Sequence, residues 1–599
     1  MKTAMAATVR AIGRPGARVA ASAGRARAFA KLGLDVLVRR FAIPKRLRWI
    51  PWLLAILACH AAWHAHGIVS SDFQNLDVAG IVYNARLLLA GRLPYLDSVE
   101  IKPPAAFLLT APWLWLGGLR GVWIFSVVWG AGTSLAVGWF AAACWGRRCG
   151  WQAALLHAAG AAAVADGDIN YSFWMTLPLT MAAAAAAWAM GKDQDRRRLS
   201  GWFLFGAATT LAVLIRPSAA TVVLIVLVAL ILALSARQWS RAGTIVAGTS
   251  LGGIGAAMLI AIPFFRHGRF DALIAGIDTV QHYSNDSVSS IVQGAGGRLA
   301  ATLNGLRCLP EGLPAHLLLF ALALLPSWRR SSSPILRSTA WVPWTFAIVA
   351  LSGVTLTLRF FTHDNAPLWA ATAVLALRPS SLVGTLFERS ASRPLMAALL
   401  PAGLGLLCTA GSWERVRSLQ RYLHDSDDRV AAICARVSSH VGPGEPVLAW
   451  GWKAWGVYEH CRRWAPGPIY KDLTTVTTPN TNTCNHGYGP PRLKLGELSR
   501  RYLRDLTSQP PAVVVVSDYY KGMGGDPLDE WHDVRLYLRS HYFLLEHLDG
   551  FDALVRLDLA PRFGVAPESR APFRCIGLPA AQSACGDADE WWQTVSAPQ

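Results

Sequence analysis

The residues able to do chemistry in this sequence are few, and they gather in the connections between long apolar runs. Asp72 and Asp77 precede a short helical stripe, Lys102 stands just ahead of Pro103-Pro104, and Asp166 and Asp168 sit in the string DGDINYSF. Arg216 falls between two apolar runs, Arg266, His267 and Arg269 open a long connection, and His363-Asp364 occupy another. A carboxylate takes a proton or holds a cation, and an ammonium or guanidinium group holds an anion. Residues 412–599 carry neither a glycine-rich dinucleotide fingerprint behind a strand nor a Ser or Cys nucleophile constellation.

The elements that must position these groups are apolar. Of 599 residues 53% are hydrophobic and only 16% charged, against about 25% charged in soluble proteins. That excludes a disordered chain. Apolar runs at 49–68, 119–145, 151–166, 173–191, 201–216, 218–236, 243–264, 313–328, 340–358, 365–379 and 394–411 predict about eleven spans of a polytopic α-helical membrane protein. The run 103–118, PPAAFLLTAPWLWLGG, carries three prolines and reads as an interfacial or re-entrant helix.

Charge sets the orientation. Arg147–Arg148, Lys192–Arg198, Arg237–Arg241, Arg329–Arg337 and Arg378–Arg393 put basic residues at every second connection. A cytoplasmic placement for these puts the N-terminus inside and the connections 69–118, 166–172, 216–218, 265–312 and 359–364 outside. The net charge of +20 sits in those loops and in residues 1–48, which hold twelve Lys and Arg against Asp35 alone. That arm reads as a cytoplasmic tail against anionic lipid, with a transit peptide or an early start as the alternative; no cleavable signal peptide is evident. Residues 412–599 are balanced, with 21 basic and 22 acidic residues. The distribution argues for a basic membrane face and against nucleic acid as a partner.

Within the first outer loop, Val78, Ile81, Val82, Ala85, Leu88 and Leu89 recur at helical spacing. Gly80, Tyr83 or Asn84, and Leu87 fall on the opposite face, and Gly91 closes the pattern. The stripe predicts a short amphipathic helix on the outer leaflet. Asp77 stands at its head, as a plain cap or as a working carboxylate. The loop 265–312 predicts a surface helix, FDALIAGIDTVQHY, and then a mobile glycine-rich stretch at Gly294, Gly296 and Gly297; it reads as a substrate gate or a passive interfacial helix.

The first-loop residues resemble those of the GT-C class of membrane glycosyltransferases, which includes protein O-mannosyltransferases, the lipid A aminoarabinose transferase and the RgtA/B/C/D-like bacterial enzymes. The matching pieces are Asp77, Tyr83, Ala85-Arg86-Leu87-Leu88, Gly91, Pro94-Tyr95 and Lys102-Pro103-Pro104, in that order. Arg359–Asp364 ahead of Pro367 resembles a later outer turn of the class, and 445–463 resembles its outer-domain strand and helix. The resemblance implies transfer of a sugar from a polyprenyl-phosphate donor to a periplasmic glycan, lipid or protein acceptor, at a bacterial inner membrane. It implies Asp77 as general base, with Asp72 as the other candidate because position 78 is Val where the class often has a second acid. Lys102, Arg216, Arg266, His267 and Arg269 would hold the donor phosphate, and Asp166, Asp168, His363 and Asp364 would meet acceptor or metal. A divalent cation is the one cofactor the resemblance leaves open.

Residues 412–599 read as an outer, periplasmic α/β domain, with strands at Pro446–Trp450, Ala512–Ser517 and Ala553–Leu557 and helices at Asp428–His440 and Leu495–Leu506. Acceptor or partner recognition is its expected role. In an oxidising compartment Cys461–Cys484 and Cys575–Cys585 are candidate disulfides and Cys434 a buried thiol; zinc lacks a C-x-x-C pair. The competing functions are a non-catalytic relative and a lipid or glycan transporter. A transporter predicts ionisable side chains inside the spans, which the apolar runs nearly lack.

Overall fold

The computed structural model describes residues 49–70, 76–165, 170–191, 195–326, 339–390, 394–477, 491–521 and 524–565. Two units divide between Ala55 and Ile56. The first contributes the opening turns of one helix, and the second holds every element that follows. Asp72, Asp166, Asp168, Cys484, Cys575, Cys585 and the basic arm 1–48 lie outside the described residues.

Helices α1 (Ile50–Ser70), α2 (Leu76–Leu89), α3 (Pro104–Trp145), α4 (Arg147–Val164), α5 (Tyr171–Met190), α6 (Asp195–Ile215), α7 (Val223–Ser235) and α8 (Trp239–Arg266) follow the apolar runs. Six described segments are long and apolar enough to cross a membrane: Ile50–Ser70, Pro104–Trp145, Tyr171–Met190, Arg198–Ile215, Pro217–Ser235 and Trp239–Arg266. A bent pair, Leu395–Ala410 with Trp413–Ser438, adds a seventh if it counts as one span. Other expected spans become shorter helices, among them Pro314–Leu324 and Trp341–Thr357. An 11-residue helix rises only about 17 Å, so length alone does not make it a span.

Small residues let these helices close up. Ala182–Ala187 of α5 are fully buried. Where α6 crosses α8, a Cβ on Gly206 would lie 2.0 Å from the Thr249 carbonyl oxygen and one on Gly252 1.9 Å from that of Phe203, so only glycine allows the approach. α3 is broken by non-helical backbone at Gly117 and Gly118. That break separates the proline-bearing segment from the run 119–145, as the sequence predicts.

The helices also carry histidines that the hydropathy pattern hides. His60 Nε2 and His157 Nδ1 both hydrogen-bond to Ser134 Oγ at 2.9 Å, and His316 Nε2 bonds to the Gly160 carbonyl at 3.1 Å. The expectation of apolar segments almost free of ionisable groups is corrected on this point. An imidazole, being small, hides in an Ala-rich helix wherever a neighbour supplies a partner.

The connection 265–312 forms two helices, α9 (Phe270–Gly294) and α10 (Arg298–Gly312). The glycine-rich stretch expected to be mobile is a tight turn, with Gly296 and Gly297 at φ of 74° and 138°. Helices α11 (Pro314–Leu324), α12 (Trp341–Thr357), α13 (Ala366–Ala376), α14 (Leu382–Ser390) and α15 (Pro394–Ala410) complete the apolar part.

The C-terminal α/β part begins with α16 (Trp413–Ser438), longer than the sequence suggests. Its sheet has strands β1 (Val447–Trp450), β2 (Val513–Ser517), β3 (Tyr542–Leu548) and β4 (Phe551–Arg556) in the order β1-β2-β4-β3. β1 and β2 are parallel, and the rest are antiparallel. Helices α17 (Glu497–Ser508) and α18 (His532–His541) flank it. The predicted strands are present, and β3 is the addition: a hairpin through Asp549-Gly550 pairs it with β4. The expected Cys461–Cys484 bridge and free Cys434 are both wrong, because Cys461 is bonded to Cys434, with Cα atoms 4.8 Å apart. The apolar face that carries Cys434 packs on the helix ending at His460, and so brings the two sulfurs together.

Candidate active site

α2 is helical because its apolar stripe repeats every three to four residues and it carries an acid, Asp77, in its first turn, where the helix dipole favours negative charge. It does not lie on a lipid surface as expected. Val78, Ile81, Val82, Tyr83, Asn84, Ala85 and Leu87 are all buried, so the polar face is covered as completely as the apolar one. The cover is the chain itself. Residues 98–102 run back along the face bearing Asp77, Gly80 and Asn84, which are neighbours on a helix. Lys102 Nζ meets Asp77 Oδ2 at 3.2 Å, and two residues earlier Glu100 accepts from Asn84 Nδ2 at 2.7 Å.

Lys102 is held from three sides. Its backbone N–H donates to Glu100 Oε1 at 3.0 Å, and its carbonyl accepts from the Tyr95 hydroxyl at 2.7 Å. Its ammonium donates to the Tyr171 hydroxyl at 3.1 Å and lies 4.3 Å from that ring's centre. Tyr95 has a φ of 69°, unusual for a bulky residue. Its ring packs on Gly276 of α9, where no Cβ would fit.

Arg216 stands at the junction of α6 and the following 3-10 turn. It donates to Ser172 and to Asp364, and its guanidinium lies 5.6 Å from the same Tyr171 ring. Arg359 sits between Leu358 and Phe360, both in left-handed backbone at φ of 55° and 51°. Such strain persists where the surroundings fix it, as at binding sites. Arg359 donates from Nε to Ser287 at 3.1 Å and lies 5.7 Å from the Tyr283 ring.

Lys102, Tyr171, Arg216, Tyr283, Ser287 and Arg359 line one cleft. Lys102, Arg216 and Arg359 supply its cations, Tyr171 and Tyr283 its aromatic surface, and Ser218, Ser284 and Ser287 its hydroxyls. Burial disfavours the Asp77 carboxylate, but Lys102, with Lys471 and Arg359, outweighs burial and holds it below the usual carboxylate range. Burial likewise opposes the Lys102 charge, and Asp77 with Tyr171 and Tyr283 holds it above the usual lysine range. The cleft therefore carries three cations, two of them paired: Lys102 with the charged Asp77 carboxylate and Arg216 with Asp364.

No family model matches the sequence, and no curated protein is significantly similar to it. Solved structures do match. ArnT from Cupriavidus metallidurans bound to undecaprenyl phosphate is 14% identical, aligned over 87% of this chain and 99% of that one, with a TM-score of 0.52. The apo form of the same protein gives 13%, 86%, 99% and 0.50. The chain has the GT-C fold. An oligosaccharyltransferase from Archaeoglobus fulgidus, at a TM-score of 0.46 over 84% of this chain, 73% of that one and 12% identity, adds no weight.

In this GT-C fold the residues singled out in the sequence separate. Lys102 and Arg216 come together at the cleft, and Asp77 is held against Lys102. Arg266, His267 and Arg269 do not: Arg269 pairs with Asp271 at 2.9 Å, and none of the three lines the cleft. Asp364 is buried and paired with Arg216, and His363 Nε2 lies 3.5 Å from it, so this acid braces a cation. Among the described residues no group of three His, Cys, Asp or Glu side chains is arranged to hold a metal.

Sequence reasoning gave no role to Arg359, Tyr171, Tyr283, Glu100 or Lys471. Arg359 and Tyr171 stand inside strings already singled out, RFFTHD and DINYSF. Tyr283 likewise ends the string FDALIAGIDTVQHY, and Lys471 has no local signal.

Proposed function

We propose that this protein transfers a sugar from a polyprenyl-phosphate donor to a glycan, lipid or protein acceptor on the periplasmic face of a bacterial inner membrane. In this reading residues 412–599 are periplasmic and the N-terminus cytoplasmic, with up to about eleven spans by the alternation of basic loops. The observation that carries the function is the convergence of Lys102, Arg216 and Arg359 around Tyr171 with Asp77 in contact with Lys102. Three cations suit a phosphate whose charge grows as the sugar leaves. Arg359 takes the place expected of Arg266, His267 and Arg269. The ArnT relative in fold was solved bound to undecaprenyl phosphate, the carrier lipid that a polyprenyl-phosphate sugar donor leaves behind.

The carboxylate's part is proton removal. Asp77, charged and at the cleft's edge, takes the proton from the acceptor hydroxyl or amine as its oxygen or nitrogen attacks the sugar carbon. Asp72 is the second candidate, and a divalent cation remains the candidate cofactor. The test is transfer by purified protein offered a panel of polyprenyl-phosphate sugars. Asp77→Asn should lose about 10²–10⁴ in rate with donor binding nearly intact, and Lys102→Ala should weaken donor binding. A dead Asp72→Asn beside an active Asp77→Asn moves the base to Asp72; full activity in both ends the base assignment.

A transporter is the second reading, and the buried His60–Ser134–His157 chain favours it. Protein in vesicles that moves a polyprenyl-phosphate sugar between leaflets without transferring it would decide for that reading.

A further inference from the structure

The C-terminal α/β part docks on α2 through residues 458–465, where the Tyr458 carbonyl accepts from Arg86 at 2.7 Å, and through residues 468–472, which run beside Gly80. Tyr470, Lys471 and Asp472 are all fully buried, and each is tied down separately. Asp472 accepts from the Gly451 backbone N–H at 3.1 Å and from Trp455 Nε1 at 3.1 Å, which fastens the segment to the end of β1. Tyr470 stacks on Tyr83 of α2 with ring centres 4.2 Å apart and donates to Glu100. Between them Lys471 points at α2 and makes an ion pair with Glu100 in which both side chains are wholly buried. The Val99 N–H donates to the Pro468 carbonyl at 2.7 Å, so backbone as well as side chains joins the two segments.

Gly80 makes the room. A Cβ there would lie 2.9 Å from the Tyr470 hydroxyl, 3.4 Å from Lys471 Nζ and 3.6 Å from Glu100 Oε2. Gly80 is one helical turn from Asp77, so the buried pair sits directly beside the Asp77–Lys102 pair. Glu100 Oε1 also accepts the backbone N–H groups of Ile101 and Lys102, at 2.6 and 3.0 Å. The same carboxylate therefore takes Lys471 and sets the backbone from which Lys102 projects. A carboxylate buried at such a site needs a cation, and Lys471 supplies it.

We infer that Lys471 of the outer domain is a positioning residue for donor binding and for the Asp77 carboxylate, acting through Glu100 on Lys102. The inference rests on the proposed function. It gives residues 412–599 a part in the chemistry: residues 468–472, docked on α2, hold Glu100 and through it the backbone that carries Lys102.

The experiment compares wild type, Lys471→Met, Glu100→Gln and the double variant, with Arg436→Met as a control from the far, exposed side of the domain. Three readouts are taken: undecaprenyl phosphate binding, kcat and KM for transfer, and the pH profile of kcat/KM. Lys471→Met should weaken undecaprenyl phosphate binding at least tenfold and move the acid limb of the profile upward, because Asp77 loses a neighbouring cation. A residue that merely stabilised the domain would not move that limb. The double variant, which leaves no unpaired buried charge, should recover folding and part of the binding, and so keeps the test open if Lys471→Met does not fold. Active wild type beside a Lys471→Met or double variant with unchanged binding and an unmoved limb overturns the inference alone. Wild type that neither binds undecaprenyl phosphate nor transfers sugar overturns the functional reading and the inference with it.

Discussion

Arg216 and Asp364 form a buried ion pair between two interhelical turns 148 residues apart in sequence. The pair braces the floor of the cleft, since Arg216 also touches Ser172 and faces the Tyr171 ring. Removing one partner from such a pair strands the other charge, which costs about 3–5 kcal/mol. Arg216→Met and Asp364→Asn should each destabilise the protein on that scale, and the double variant by clearly less than the sum. Thermal unfolding in detergent measures it; additive losses would show that the two residues do not depend on each other.

The acid dependence of transfer should follow Asp77. Its folded-state pKa is depressed, so its charge is complete above the ordinary aspartate value of about 3.9. The stability it lends through Lys102 is likewise present there and is lost as pH falls through the lower folded-state value. Lys102→Met leaves burial unopposed at close range, so the acid limb of kcat/KM should rise. A limb that stays where it is in Lys102→Met would assign it to another group.

In the C-terminal α/β part Asp526 behaves oppositely. Burial pushes its carboxyl up to about 6, while Oδ1 accepts from Trp450 Nε1 and the Leu528 N–H. The folded state then holds a proton that the unfolded chain has released, so this group's contribution falls as pH rises from about 4 to 6. Asp526→Asn keeps the Oδ1 acceptor and removes the charge. It should stabilise the protein at neutral pH by roughly 2–3 kcal/mol and flatten that slope. Melting curves across pH 4–8 check both, and a variant less stable than wild type at neutral pH would contradict it.

The Cys434–Cys461 bridge closes a loop with a sequence separation of 27 and ties α16 to the helix before Cys461. Loop-closure entropy for that length is worth about 3–4 kcal/mol. Non-reducing peptide mapping should recover Cys434 linked to Cys461, and Cys434→Ala should lower the melting temperature. A Cys461–Cys484 peptide in its place would refute the pairing.

Much of the fold is local, and so was legible. The stripe from Val78 to Leu89, the break at Gly117-Gly118 and the strands ending at Trp450 and Ser517 follow from spacing, backbone freedom and branched side chains, all carried within a few residues. Asp77 and Lys102 were singled out through the resemblance of the first loop to the GT-C class, and Arg216 through its place between two apolar runs and the same resemblance; the fold sets Lys102 against Asp77 and both Lys102 and Arg216 against the Tyr171 ring.

What the tertiary structure alone decided is how distant charges pair. Nothing near Glu100 in the sequence announces Lys471, 371 residues away, or says that α2 is covered by residues 458–472 of the C-terminal α/β part. Arg359 looked no different from Arg266 or Arg269 until the backbone around Leu358 and Phe360 turned it toward Ser287. Hydropathy measures the preference of a segment for an apolar medium. The partner that neutralises a buried charge is set by which segments the whole fold brings within a few ångströms, and one-dimensional spacing carries no record of that.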